Sequence, residues 1–166
     1  MAFRVLVLIS VLLSCASASA DLGDIAIGGQ MGVGVIEIQT GYDDGPSSVP
    51  HLMLQPEFNL RVGLLDWLHF DSGVGLVSFD GLTGATIDVG LTGTFDVFAV
   101  VPELKLGLSM AMFQDGDELR VMPGIDAALA LRYHLDFNWS VAVGAELNAA
   151  IVPRYQGTLS FLYVID

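Results

Sequence analysis

The chain has 166 residues, 53% of them hydrophobic and only 15% charged, with a formal net charge of −13. A water-soluble domain carries about 25% charged residues, so the excess apolar surface has to face something other than water. The acidic balance argues against a nucleic-acid surface, and a single cysteine, Cys15, excludes a disulfide framework or a thiolate metal centre.

Residues 1–20 read as a segment apart from the fold. Met1 to Arg4 is a short positive start, and Val5 to Leu13 is an apolar run shorter than the about 20 residues a spanning helix needs. Ala18-Ser19-Ala20 then offers a cleavage site before Asp21, the pattern of a Sec signal peptide. A second export reading stands beside it: Leu12-Leu13-Ser14-Cys15 has the form of a lipobox, in which Cys15 would be lipidated. Cleavage after Ala20 removes Arg4 and Cys15, leaving residues 21–166 as one acidic, cysteine-free domain. No later stretch reaches the about 18 uncharged apolar residues of a transmembrane helix.

From Ile25 onward, apolar and polar residues alternate in eight runs. The first sets Ile25, Ile27, Met31, Val33 and Val35 against Asp24, Gln30, Gly32 and Gly34; the second sets Leu52, Leu54, Phe58, Leu60, Val62 and Leu64 against Gln55, Glu57, Asn59 and Arg61. The third alternates Leu68, Phe70, Val74 and Leu76 with Asp71, Gly73 and Gly75, and the fourth Ile87, Val89, Leu91 and Phe95 with Thr86, Asp88, Thr92 and Asp96. The fifth opposes Leu104, Leu106, Leu108 and Met110 to Glu103, Lys105 and Ser109, and the sixth Leu119, Val121, Ile125, Leu129 and Leu131 to Arg120, Asp126 and Arg132. The seventh opposes Phe137, Trp139, Val141, Val143 and Leu147 to Ser140, Glu146 and Asn148, and the eighth Tyr155, Leu159, Phe161, Tyr163 and Ile165 to Gln156, Thr158 and Ser160. A period of two puts each set on one face of a strand.

The polar face carries the small residues and the apolar face the bulky ones. An eight-stranded barrel has an interior just wide enough for side chains to fill, so Leu, Val, Ile and Phe are expected outside, against lipid. The fold expected is all-β, an eight-stranded antiparallel up-and-down transmembrane β-barrel. A soluble lipocalin-like carrier with the apolar face turned inward is the competing arrangement.

Connections are expected to alternate. Leu65-Asp66-Trp67, the region of Phe98-Ala99, and His134-Leu135-Asp136 read as tight periplasmic turns. Glu37 to His51, Asp80 to Gly84, Gln114 to Glu118 and Val152 to Arg154 read as outer loops. Phe70, Phe95, Tyr133, Phe137, Trp139, Phe161 and Tyr163 gather on the oily face near the turn end, as an interfacial girdle would. Pro56, Pro102 and Pro123 interrupt strand patterns, and each is expected at a bulge or a strand end.

With segments such as Leu60-Arg61-Val62-Gly63 and Asn138-Trp139-Ser140-Val141-Ala142-Val143-Gly144-Ala145-Glu146-Leu147, the chain resembles the small outer-membrane barrel families: the OmpA-like transmembrane domain and its OmpX-like and OmpW-like relatives. The resemblance implies bacterial outer-membrane residence and insertion by the barrel-assembly machinery. It departs at the end, where Phe161-Leu162-Tyr163-Val164-Ile165-Asp166 finishes on Asp166 and not on the usual Phe.

The polar face carries Glu57, Arg61, Asp71, Asp88, Asp96, Glu103, Lys105, Arg120, Asp126, Arg132 and Glu146, and such charges in a narrow tube must be paired or hydrated. One reading is a structural salt-bridge network; the other is a narrow, cation-preferring path. His51, His69 and His134 are scattered and form neither a triad nor a metal site, so no enzymatic activity and no cofactor is expected. Gly28-Gly29-Gln30-Met31-Gly32 lacks the Lys-Ser/Thr ending of a phosphate loop. The partners expected are outer-membrane lipids and lipopolysaccharide, with the acidic Gln114–Glu118 loop bridging through divalent cations, and the chain is expected to act as a monomer.

Overall fold

A computed structural model describes residues 23–42, 45–95, 100–115, 118–150 and 152–165, and of these the side chains of 38–42, 45–48 and 115 are not described. Both export readings, Asp96, Phe98-Ala99 and Asp166 therefore lie outside the described residues. The strands are β1 (Ile25–Tyr42), β2 (Gly45–Leu65), β3 (Leu68–Phe79), β4 (Leu82–Thr94), β5 (Val100–Asp115), β6 (Glu118–His134), β7 (Trp139–Ala150) and β8 (Arg154–Ile165). Each pairs antiparallel with the next, and β8 closes on β1 from Ile25↔Ile165 to Ile36↔Arg154, making a closed barrel with no free edge in its wall. No helix among the described residues is long and apolar enough to cross a membrane.

The alternation resolves as the side-chain sizes demand. Leu60, Leu106 and Leu129 stand on the outer surface, 36%, 56% and 66% exposed, while Asp126 and Thr92 inside are at 1%. The inward-facing carrier arrangement is excluded by this orientation.

Three of the expected outer loops are corrected, Gln114 to Glu118 among them, since β5 and β6 stay paired up to Asp115↔Glu118. Glu37 to His51 is not a loop: β1 and β2 stay paired up to Tyr42↔Gly45, forming a ribbon that rises beyond the wall. Beyond the bond from Glu37 N–H to Pro153 O at 3.1 Å, these strands show no partner on their other sides among the described residues, so Pro46 and Pro50 lose no ladder bond there. Asp80 to Gly84 is likewise a two-residue turn, with Asp80 at φ 48° and Gly81 at φ 79° between Phe79 and Leu82. Positive φ at both central positions defines a type I′ hairpin, which matches the strand twist and favours Asp-Gly. At the other end, Asp136 Oδ1 accepts from the backbone N–H groups of Asn138 (2.9 Å) and Trp139 (2.7 Å), bending the chain between β6 and β7.

The prolines sort by what lies beside them. Pro102 is one residue past the Thr94↔Glu103 end of the β4–β5 ladder, where its carbonyl still accepts Phe95 N–H at 3.0 Å, and Pro123 is one past the Gly124↔Ala150 end of β6–β7, so each sits at the end of a ladder. Pro56 makes no bulge. The β2–β3 pairs stop at Leu54↔Ser78 and resume at Glu57↔Gly75 in the same register, while pairing to β1 continues through Met31↔Pro56. The register shift in β2 lies instead between Gly63 and Leu65. Replacing Gly81 by Val forces a β-branched residue into positive φ; we expect a loss of about 1–2 kcal/mol in unfolding free energy, measured by urea titration of the folded barrel.

Candidate functional site in the barrel lumen

The inward positions stack in three layers. Nearest the turn end, two arginines and two carboxylates form a chain across the lumen. Arg61 donates to both oxygens of Asp71, from Nε at 2.7 Å and from Nη2 at 3.2 Å, and from Nη1 to Glu103 Oε1 at 2.6 Å. Arg132 grips the same Glu103 with Nε at 2.7 Å and Nη2 at 2.9 Å, and its Nη1 donates to Ser140 Oγ at 3.0 Å. Thr92 Oγ1 donates to Asp71 Oδ2. The planar guanidinium fork matches a carboxylate at two points, which fixes direction as well as charge. Four strands, β2, β3, β5 and β6, are thereby tied through the barrel's centre. His69, 7% exposed, lies beneath this chain with Nε2 3.3 Å from Thr94 Oγ1.

The middle layer is richer in acid. Lys105 Nζ donates to Asp88 Oδ1 at 2.5 Å, Gln55 Nε2 to Glu57 Oε2 at 3.1 Å, and Gln30 Nε2 to Glu146 Oε2 at 3.4 Å. Asn148 Nδ2 donates to Asp126 Oδ1 and Ser109 Oγ. Arg154, placed by its sequence in a loop, opens β8 and is 5% exposed, donating to Gln55 Oε1 at 3.3 Å and Ser109 Oγ at 3.4 Å. A cavity of about 60 Å³ between these layers is lined by Arg61, Glu103, Lys105, Arg132 and Glu146 among others, room for a few waters.

The third layer is apolar and was not anticipated. Ile36, Met53, Val77, Phe79, Ala111 and Phe113 form a buried cluster at the hairpin end, with Met122 and Val152 packed against it. The Phe79 and Phe113 rings meet edge to face at 5.2 Å and 73°. Gly84 makes room for this: a Cβ there would meet the Phe113 ring at 2.5 Å. The signal was in the sequence, since these residues keep the inward parity of their strands one or two steps beyond the last polar position.

The structure brings Glu57, Arg61, Asp71, Asp88, Glu103, Lys105, Asp126, Arg132 and Glu146 together inside the barrel. Arg120 is the exception. It has the inward parity, opposite Phe113, but stands exposed, because β6 runs on past the end of β7 and only β5 flanks it there. Phe70, Tyr133, Phe137, Trp139 and Phe161 are exposed on the outer face and Phe95 and Tyr163 are half-buried, all toward the turn end; the Trp139 and Tyr163 rings lie 4.9 Å apart. His51 sits at the opposite rim, its Nδ1 3.5 Å from Asp80 Oδ2. Among the described residues, no group of three or more His, Cys, Asp or Glu is placed to hold a metal.

Glu103→Ala would leave two buried guanidinium groups short of their shared acceptor. We expect a loss of about 3–5 kcal/mol, whereas Glu103→Gln keeps one acceptor oxygen and is expected to cost less; chemical unfolding of the refolded variants measures both.

The sequence matches no protein-family model and no curated protein. Solved structures do match in fold. Neisserial surface protein A superposes with a TM-score of 0.65 at 13% identity, covering 84% of this chain and 96% of its own. The N-terminal β-barrel domain of Pseudomonas aeruginosa OprF gives 0.62 at 10% identity, covering 86% and 99%. A de novo designed transmembrane β-barrel gives 0.56 at 15% identity, covering 89% and 100%. The chain has the fold of the small eight-stranded outer-membrane barrels, and at these identities the likeness speaks of fold alone.

Proposed function

We propose that the chain is an integral protein of the bacterial outer membrane, exported by the Sec route, with its hairpin rim outside and its turn end in the periplasm. The observation that carries this reading is the outer face of the closed wall. Leu, Val, Ile and Phe stand exposed around it, and no Asp, Glu, Lys or Arg shares their outward parity between the wall's two ends. Water would penalise such a surface, whereas hydrocarbon requires it. The aromatic residues toward the turn end fit the periplasmic interface, where amphipathic rings settle.

Within the membrane the barrel acts as a structural and surface-presenting element. The lumen supports this role over conduction. Ile36, Met53 and Val77 are fully buried at the hairpin end, and an apolar cluster above a bidentate arginine chain favours a filled lumen over an ion path. Outer-membrane lipids, including lipopolysaccharide, are its natural surroundings. Asp80 and Glu118 are exposed at the hairpin rim and would meet lipid phosphates through divalent cations. Insertion would proceed through the barrel-assembly machinery, and the chain would work as a monomer without cofactor or catalysis.

Membrane fractionation of the full-length protein tests this reading. The protein is expected to stay with membranes in carbonate, to dissolve in detergent, and to migrate faster on a gel unheated than boiled; release by carbonate would falsify it. Leu129→Arg is expected to lower folding stability in lipid vesicles by about 2–4 kcal/mol. In planar bilayers the unmodified protein is expected to give no current above background, and a steady cation current would return the lumen to the channel reading.

A further inference from the structure

Strand β3 offers no side chain at two successive inward positions, Gly73 and Gly75. Gly73 pairs with Asn59 on one side and Asp88 on the other, and Gly75 pairs with Glu57 and Thr86. The flanking side chains lean over the gap. A Cβ built on Gly73 would overlap Asp88 Oδ2 and Glu57 Oε1 and would lie 2.7 Å from Asn59 Oδ1; one built on Gly75 would lie 3.0 Å from Thr86 Oγ1. Two strands, β2 and β4, thus aim side-chain oxygen atoms into one notch whose floor is the bare backbone of β3.

Three of those oxygens lack donors. Glu57 Oε1, Asp88 Oδ2 and Thr86 Oγ1 are buried without a hydrogen-bond partner, in residues only 8%, 6% and 2% exposed. Each carboxylate has its other oxygen occupied, Glu57 Oε2 by Gln55 and Asp88 Oδ1 by Lys105. The free oxygen of each turns to the notch. Thr86 has a single polar atom, and it is wholly unpartnered. The charge balance points the same way: the middle layer sets Glu57, Asp88, Asp126 and Glu146 against Lys105 and Arg154, an excess of two negative charges. Buried acceptors with surplus negative charge call for a cation.

We propose that this notch is a calcium site, with Glu57 Oε1, Asp88 Oδ2 and Asn59 Oδ1 as protein ligands, Thr86 Oγ1 closing its upper side, and water filling the remaining positions. Calcium accepts six to eight oxygens in irregular arrangements at about 2.3–2.6 Å, and two carboxylates with neutral oxygens suit it. Magnesium requires a regular octahedron that a three-strand notch does not supply. The donors are all hard oxygens, which sets zinc and copper aside. Asn59 also lines the cavity between the arginine chain and the middle layer, so the notch borders space that can hold water. The site stands whether or not the barrel lies in a membrane.

The test uses the full chain folded in detergent, stripped with EDTA, and then given calcium, magnesium or sodium in separate arms. Calcium is expected to bind at about one per chain by elemental analysis and to raise the melting temperature, as a ligand of the folded state must. Glu57→Gln and Asp88→Asn are expected to lose this rise. Thr86→Val removes a hydroxyl that has no partner, so the metal-free protein should melt no lower, while calcium binds about tenfold more weakly. Absence of bound calcium, as a proton shared between Glu57 and Asp88 would give, overturns the proposal. A calcium response that survives in Glu57→Gln and disappears in the rim variant Asp80→Asn with Glu118→Gln overturns it too, assigning the ion to the surface.

Discussion

Everything in this molecule follows from keeping charge off one face of a closed sheet. Once the outward positions are given to Leu, Val, Ile and Phe, every ionised group in the wall has to enter a tube too narrow to hydrate it. The tube then survives only if those groups neutralise one another. The Asp71–Arg61–Glu103–Arg132 chain does this with contacts that span the lumen. It replaces the hydrophobic core that a soluble barrel would have, and its directionality fixes which strands face each other.

The lumen is not uniform in how well it is satisfied. The arginine chain uses forked donors against two-oxygen acceptors and leaves none of its atoms orphaned among the described residues. The layer above it relies on amides, hydroxyls, one lysine and Arg154, and among the described residues the unpartnered buried side-chain atoms, in Glu57, Thr86, Asp88, Asn148 and Gln156, all lie there. The apolar plug then closes the hairpin end. A polar network half-satisfied in this way lies between a well-knit base and a dry cap.

Much of this was legible in the residues. The outward set could be read from a period of two, because a single charge on that face would have broken the pattern and none did. Which face was outside followed from volume: Gly73, Gly75 and Gly107 could crowd a lumen and Leu106 or Leu129 could not. The misreadings have local causes. Gly45-Pro46-Ser47-Ser48 has loop composition, yet it forms a strand because a two-stranded ribbon leaves one side of each strand free for proline. Asp80-Gly81 was read as part of a longer loop, although it is the turn dipeptide of a tight hairpin. Arg154 and the Phe79–Phe113 plug were missed because parity was not carried past the last obvious polar residue, and Arg120 was misplaced because parity alone does not say how high the neighbouring strand reaches.

Strands β1, β2, β5 and β6 span 18, 21, 16 and 17 residues, whereas β3, β4, β7 and β8 span 12, 13, 12 and 12. Since β1–β2 and β5–β6 are opposite one another in the ring, the crown has two towers and two saddles. A tower is only a pair of strands hydrogen-bonded to each other, so residues added or lost at its summit alter its height without touching the staves below. The crown can therefore be resculpted, as by an engineer grafting an epitope, while the cask that holds it keeps its seal.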